Sequence, residues 1–380
     1  MGKNVLILAS NTGLWAEELQ APWDLLKKAG HKVTLGTNTG KTPLPLAFSM
    51  DPDFIDPVQK IKVNTQEVVT RTKQILEAGE WSRPIKIDDA KMADYDALVV
   101  VGGPGSPLDI SGNPAVHRLL EEAYRTDKII GTLCYAVGAL VWALNPDNER
   151  PNIEPRIGET GPRGLHSIIC GKTIVAHPRD WDYVGPMGYT LFGATPDNPS
   201  PDVVTPGFLW PLAVLVQGAV GPNGKVLSDP KTSRDKPQVH FDYPFVTALS
   251  VESSFGFGNK LVEVLATEPS FGRKFYRKHM TYFDKQDVDG LVKNDYTEDA
   301  ILTAPEFSVQ GRDALKAVLT DYLSMVGTVR VKTTERFLES GNIIFIEATC
   351  QTSKAGERRV YDIWEMRDGK IARHFTGLKG

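Results

Sequence analysis

The sequence predicts two domains of different class: a doubly wound, mostly parallel α/β unit over residues 1–267 and an α+β unit over residues 268–380. Three observations predict them. The chain has 380 residues, longer than one hydrophobic core usually supports. Up to about residue 265, short apolar runs alternate with amphipathic segments, and runs rich in Val and Ile without polar alternation suit strands buried on both faces. Beyond FGNKLVEVLATEPS the order changes to a helical stretch followed by consecutive strand-like runs, an α+β order.

In chain order, NVLILAS reads as the first buried strand, EELQAPWDLLKKAG as a helix and HKVTLGT as the next strand. The stretch at 37–57 is rich in proline and short of periodicity, so it reads as a loop or cap over one sheet end. DALVVVGG is a strand, NPAVHRLLEEAYRTD a helix, KIIGTLC a strand, YAVGALVWAL a helix and GKTIVAH a further strand. Residues 145–164 are again rich in Pro and Gly, the material of a lid. The second unit opens with FGRKFYRKHMTYFDKQDVDGLVKNDY as helix. AILTAPEFSV, VRVKTTERFLES, NIIFIEATCQTS and RRVYDIWEMRDGKIARHF follow as strands, with Asp-Gly in the last one marking a hairpin turn.

Lys and Arg number 43 against 47 Asp and Glu, a net charge of -4, which lacks the basic excess of a nucleic-acid binder. No apolar run approaches the length of a membrane-spanning helix, and no cleavage site follows the first apolar run. Three widely spaced cysteines, Cys134, Cys170 and Cys350, form no metal spacing and suit a reducing cytoplasm. A cytoplasmic protein with a small-molecule substrate, no nucleic-acid or membrane partner, no metal and no cofactor is expected.

Cys134 stands at the joint where a strand becomes a helix. In an open α/β sheet such a joint, at the carboxyl end of a strand, points one side chain into the ligand crevice. The following helix is expected to favour the thiolate through its dipole, making Cys134 a ready nucleophile. Cys170 and Cys350, within apolar strand-like runs, read as space-filling residues.

VLILASNTGLWAEELQAP, YDALVVVGGPG, IIGTLCYAVGAL and TALSVESSFGFGNKLVEVL together resemble the ThiJ/PfpI superfamily, of the flavodoxin-like, class I glutamine amidotransferase-like fold. The resemblance implies a glutamate in the first helix, four residues before a proline, with its carboxyl against the sulfur. That position is Glu18, four before Pro22, with Glu17 its neighbour. A carboxyl touching a thiolate carries the proton and serves as general acid or base. Gly102 and Gly103, with the amide of Tyr135, would form an oxyanion hole. Tyr135 stands where many relatives carry histidine, and Ala136 where many carry glycine. His177, at the end of GKTIVAHP, is therefore assigned as the histidine, with Asp180 a possible orienting partner. His31, His166 and His240 read as turn, packing or surface residues. Arg156, Arg163 or Arg179 could meet a substrate carboxylate.

Residues 268–380 resemble the SnoaL-like branch of the nuclear transport factor two superfamily, a cone of helices over a curved antiparallel sheet. The matching pieces are HMTYFDKQDVDGLVKNDYTEDAILTAPEFSVQGRDALKAVL and YDIWEMRDGKIARHF. The resemblance implies an apolar pocket or a dimerisation surface, with Tyr282, Asp295, Tyr296, Trp364 and His374 as candidate polar residues. The expected function is a cofactor-independent, cysteine-dependent enzyme, active as a homodimer. It would act on an electrophilic carbon as a hydrolase, hydratase, lyase or glyoxalase-like enzyme. The alternative is a redox-sensing or chaperone-like protein in which Cys134 is oxidised.

Overall fold

The computed structural model describes residues 2–144, 167–183, 187–196, 198, 203–205, 211–222, 224–267 and 271–379. They fall into two compact units, Met1–Thr267 and Glu268–Gly380.

The strands of the first unit are β1 (Asn4–Ala9), β2 (Lys32–Thr37), β3 (Ile85–Lys86), β4 (Ala97–Val100), β5 (Ile129–Leu133), β6 (Thr173–Val175), β7 (Met187–Tyr189), β8 (Val203–Thr205), β9 (Lys225–Leu227), β10 (Val239–Asp242) and β11 (Phe245–Ala248). Seven of them form one sheet in the order β10-β11-β5-β4-β1-β2-β3, parallel except for the β10/β11 edge. The central strands are apolar on both faces because both are covered. Leu6, Leu8, Leu98 and Val100 join the core of one face, while Val5, Ile7, Ala97 and Val99 join that of the other.

The helices of this unit are α1 (Ala16–Lys28), α2 (Gln66–Glu77), α3 (Ser106–Asp109), α4 (Pro114–Arg125), α5 (Gly138–Trp142), α6 (Leu212–Val220) and α7 (Ser254–Ala266). Helix α4 has the sequence start signal in full: Pro114 at its first position and Asn113 before it, whose side chain accepts from Ala115 N–H at 2.9 Å.

Four expectations need correction. GKTIVAH does form a strand, but β6 pairs in parallel with β9 in a separate two-stranded sheet, because the place beside β5 is taken by β11. The helix expected over YAVGALVWAL is a 3-10 turn, Cys134–Val137, followed by only five α-helical residues. Cys170 sits in a turn, half-buried, with its N–H on the Ser167 carbonyl. The single helical stretch expected at 271–296 is two helices, α8 (Phe271–Lys285) and α9 (Val288–Asp295). The chain turns between them at Gln286, φ 54°, and Asp287 caps α9 by accepting from Gly290 N–H.

The proline-rich stretch at 37–57 packs on the first helix through its own small core. Leu44 and Leu46 are buried with Trp15, Tyr189 and Val251, and Ser49 Oγ accepts from Ala16 N–H at 3.2 Å.

The second unit adds β12 (Tyr296–Ala304), β13 (Phe307–Gln310), α10 (Arg312–Val326), β14 (Val329–Ser340), β15 (Ile343–Thr352), β16 (Gly356–Arg367) and β17 (Lys370–Leu378). Its sheet runs β13-β12-β17-β16-β15-β14. Asp368 and Gly369 both have positive φ, 52° and 74°, the turn that Asp-Gly chemistry favours between β16 and β17. Register shifts in β14 and β16 bend the sheet around Trp364, Tyr296, Ile346 and the inner faces of α8 and α10.

Candidate active site

The carboxyl end of β5 leads directly into Cys134, whose φ is +60°. A non-glycine residue in the left-handed region costs about 1–3 kcal/mol, so the rest of the fold imposes this elbow. Leu133, Ala136 and Val137, all fully buried, anchor the chain on both sides of the sulfur.

The first turn of α1 supplies two adjacent acids whose side chains leave the helix about 100° apart and so meet different partners. Glu17 faces Arg234, which grips both of its oxygens, Nη2 reaching Oε2 at 2.6 Å. Arg234 also donates to the Val63 carbonyl. Glu18 points instead at the elbow. Pro22 lacks the N–H that would bond the Glu18 carbonyl within the helix.

Gly102 shows how tightly the elbow, the glycine pair and Glu18 converge. A Cβ placed on it would lie 2.7 Å from Glu18 Oε2, 2.7 Å from Cys134 Cβ and 2.6 Å from the Leu133 carbonyl oxygen. Gly103, at φ +104°, lies against the backbone of Gly13 and Trp15 just as closely. The N–H groups of Gly103 and Tyr135 face the Cys134 sulfur, whereas that of Gly102 faces the Glu18 carboxyl. The three groups expected to form one anion hole therefore divide between two atoms.

Glu18 is fully buried, and neither carboxyl oxygen meets a partner at full hydrogen-bonding geometry among the described residues. The Cys134 thiol and Gly102 N–H lie close enough to act on it as hydrogen-bond donors. Burial, with the neighbouring Glu252 and Glu17 charges, pushes its pKa up to about 8, against the smaller opposing pull of those two donors. Burial and the Glu18 charge likewise push the Cys134 thiol well above its usual range. This runs against the thiolate expected at a helix start. The five residues of α5 carry little dipole, and desolvation outweighs them.

His177 lies 5 % exposed at the end of β6. Its ring packs edge-on against Tyr135, centroids 4.6 Å apart, so it does stand beside the elbow. Neither ring nitrogen has a hydrogen-bond partner among the described residues. Asp180 is exposed and does not orient it. The acid nearby is Asp182, two residues further in a short 3-10 turn, with Oδ1 3.7 Å from His177 Nδ1. Asp182 is already engaged by the Tyr135 hydroxyl at 2.7 Å and Leu212 N–H at 2.8 Å. The Tyr135 phenol thus holds a carboxylate that lies beside the His177 ring.

Sequence reading missed two members of this cluster. Arg234 lies in a polar stretch without periodicity, and Glu252 in VESS looks like an ordinary helix-start acid. Glu252 is in fact 8 % exposed, with Oε2 unpartnered among the described residues. Burial raises its pKa, and it lies within electrostatic reach of His177 and Arg234. Of the other candidates, His31 accepts from Lys3 N–H, His240 is half-buried in β10, and Arg179 is exposed. His166, Arg156, Arg163 and the expected lid at 145–164 lie outside the described residues.

In the second unit, Asp295, Tyr296, Trp364 and His374 gather around His279, a residue that sequence reading passed over. Phe275, His279 and Phe283 recur at helical spacing on one face of α8, which was the available signal. Tyr282 lies apart, accepting from Asn294 near the surface.

Comparison with known proteins bears on both units. Residues 9–156 match the family described as ThiJ/PfpI family-like, and residues 276–374 match the SnoaL-like domain. The chain joins a ThiJ/PfpI-like segment to a SnoaL-like one. Similar solved structures include glyoxalase III from Candida albicans, 16 % identical, covering 69 % of this chain and 96 % of that one, TM-score 0.48. A ThiJ/PfpI domain protein from Brachyspira murdochii is 14 % identical, covering 70 % of this chain and 99 % of its own, TM-score 0.40. An NTF-2 like protein of unknown function from Burkholderia xenovorans is 22 % identical, covering 28 % and 81 %, TM-score 0.25. No curated protein matches the chain. Among the described residues no helix is long and apolar enough to cross a membrane, and no His, Cys, Asp and Glu cluster could hold a metal ion.

Proposed function

We propose that the ThiJ/PfpI-like unit is a cofactor-independent enzyme in which Cys134 attacks an electrophilic carbon of a small molecule. The carrying observation is the meeting of Cys134, Glu18 and Gly102 at a spot too tight for one added carbon. Glu18, as carboxylate, takes the thiol proton while sulfur bonds to the carbon. The N–H groups of Gly103 and Tyr135 then stabilise the charge that develops on sulfur and on the attacked oxygen. Protonated Glu18 returns the proton to the adduct or leaving group; the C–S bond then breaks, by collapse of a rearranged 2-oxoaldehyde adduct or by attack of water whose proton Glu18 takes, and the departing sulfur regains a proton from Glu18, restoring the site. His177 flanks this path and orients substrate beside Tyr135. Conversion of a 2-oxoaldehyde, hydrolysis of an amide and hydration of a nitrile-like group all fit this chemistry, in a cytoplasmic homodimer.

A redox-sensing role finds no support in the site. Sensor cysteines are exposed and rich in thiolate, whereas Cys134 is 3 % exposed with a raised pKa. The test is a screen of 2-oxoaldehydes, amides and isonitriles with the full chain and Cys134→Ala. Turnover that disappears in the variant supports the enzyme, and turnover that survives in it overturns the role of Cys134.

A further inference from the structure

We propose that His177 and Glu252 form the recognition pair of the Cys134 site and set its substrate class: a molecule carrying an NH2 group, of an amide or amine, on or next to the attacked carbon, in preference to a carboxylate. This rests on the reading of Cys134 as the nucleophile, and it adds a specificity residue, Glu252, that takes no part in the proton transfers of Glu18.

The sheet brings the pair to the sulfur. β11 lies parallel to β5, and its register sets Ala248 opposite Leu133, the residue before Cys134. The chain therefore leaves β11 at the level of the elbow, and Glu252 follows in the 3-10 turn Val251–Ser253 that leads into α7. β6 runs alongside: Thr173 N–H donates to Asp242 Oδ2 at 2.8 Å and Val175 N–H to Thr247 Oγ1 at 2.9 Å. His177, just past the end of β6, reaches the same sheet end and packs its ring on Tyr135. Both residues stand where ligands bind in an open α/β sheet, outside the carboxyl ends of the strands.

Glu252 is held through one oxygen. Ser253 Oγ donates to its Oε1 at 3.2 Å and itself accepts from Gln238 N–H at 3.1 Å. Glu252 Oε2 and both ring nitrogens of His177 have no partner among the described residues, although the two residues are only 8 % and 5 % exposed. Buried polar atoms left unpaired are costly, so these mark what a ligand has to supply. Asp182 Oδ1, 3.7 Å from His177 Nδ1, favours the ring hydrogen on that nitrogen, an assignment from the arrangement of charges. Nε2 is left as an acceptor, and Glu252 as carboxylate is an acceptor too. Two acceptors call for two donors, and one NH2 group carries both. A carboxylate would bring like charge to Glu252 and Asp182, while Arg234 is committed to Glu17 and the Val63 carbonyl.

The test is alkylation of Cys134 in the full chain by iodoacetamide, iodoacetone and iodoacetate, read by peptide mass spectrometry. In each, sulfur bonds to the CH2 carbon, iodide leaves with the bonding electrons, and the thiol proton passes to Glu18 or water. Iodoacetone has the shape of the amide with CH3 in place of NH2, and rates for the same thiol in the urea-unfolded chain correct for intrinsic reactivity. After that correction iodoacetamide should exceed iodoacetone about tenfold, and iodoacetate should be slowest. Glu252→Met should bring iodoacetamide down to the rate of iodoacetone and relieve iodoacetate, whereas Glu252→Gln, which keeps an acceptor oxygen, should retain part of the amide preference. Equal corrected rates for amide and ketone, an amide preference unmoved by Glu252→Met, or no labelling of folded Cys134 would each overturn the pair. The comparison on the unsubstituted chain decides even if Glu252→Met fails to fold. Labelling requires no turnover, so an empty substrate screen strikes the enzymic reading and leaves this result standing, while equal rates strike the pair alone.

Discussion

At the scale of single residues, the protons of Glu18 and Cys134 govern the behaviour of the site. The Glu18 carboxyl titrates near pH 8 in the fold and near 4.5 in an open chain. Between these values the folded chain keeps a proton that the unfolded chain has released, so stability falls as pH rises from 4.5 to 8. Glu18→Gln removes that dependence. Its Tm relative to the unsubstituted protein should therefore be more favourable at pH 8 than at pH 4.5, by calorimetry at both pH values; a difference independent of pH would mean that Glu18 is already ionised in the fold. The same substitution should reduce kcat/KM about 10²- to 10⁴-fold, the usual worth of a proton-transfer group. For the unsubstituted enzyme, kcat/KM should rise with pH up to about 8 as the base form of Glu18 appears, and a flat profile over that range would remove Glu18 as the base. Glu17→Gln acts differently, since it leaves Arg234 without the carboxylate that it grips through both oxygens. It should destabilise the fold while sparing the chemistry more than Glu18→Gln.

At the scale of elements, the site exists because a strand end, a glycine turn and a helix start meet. Gly102 follows β4, Cys134 follows β5 and Glu18 opens α1. β1 and β5 flank β4 in the sheet, which brings the three together at one sheet end. Gly102→Ala would drive a methyl group into Glu18, Cys134 and the Leu133 carbonyl. Two of these contacts lie beside the strained elbow, where relaxation has little room, so Tm should fall by several degrees and activity by more than that loss implies. Unchanged Tm and activity in the alanine variant would show that the turn can open, and with it that the elbow is looser than its geometry indicates.

At the scale of the whole molecule, the chain divides into two units with separate cores. The apolar cluster of the second unit contains no residue of the first. We therefore expect residues 1–267 and 268–380, expressed apart, each to unfold in one cooperative step. Failure of either piece to fold would show that the units depend on each other.

Sequence alone determined the features that follow from local patterning. These are the apolar runs that become central strands, Pro114 and Asn113 starting α4, the Asp-Gly turn at 368–369, and a cysteine at the joint of strand and helix. Each depends on neighbours within a few residues, where propensity and periodicity act. It also distinguished Glu18 from Glu17, through resemblance and the position of Pro22. Only the tertiary structure decided what arises between distant segments. Arg234 reaches Glu17 across 217 positions, Asp182 rather than Asp180 meets the Tyr135 phenol, and His279 takes its orientation from Asp295 on the next helix. The protonation of Cys134 belongs to this second group as well. The helix dipole can be read from a short stretch of sequence, but the burial that overrules it is produced by the whole fold.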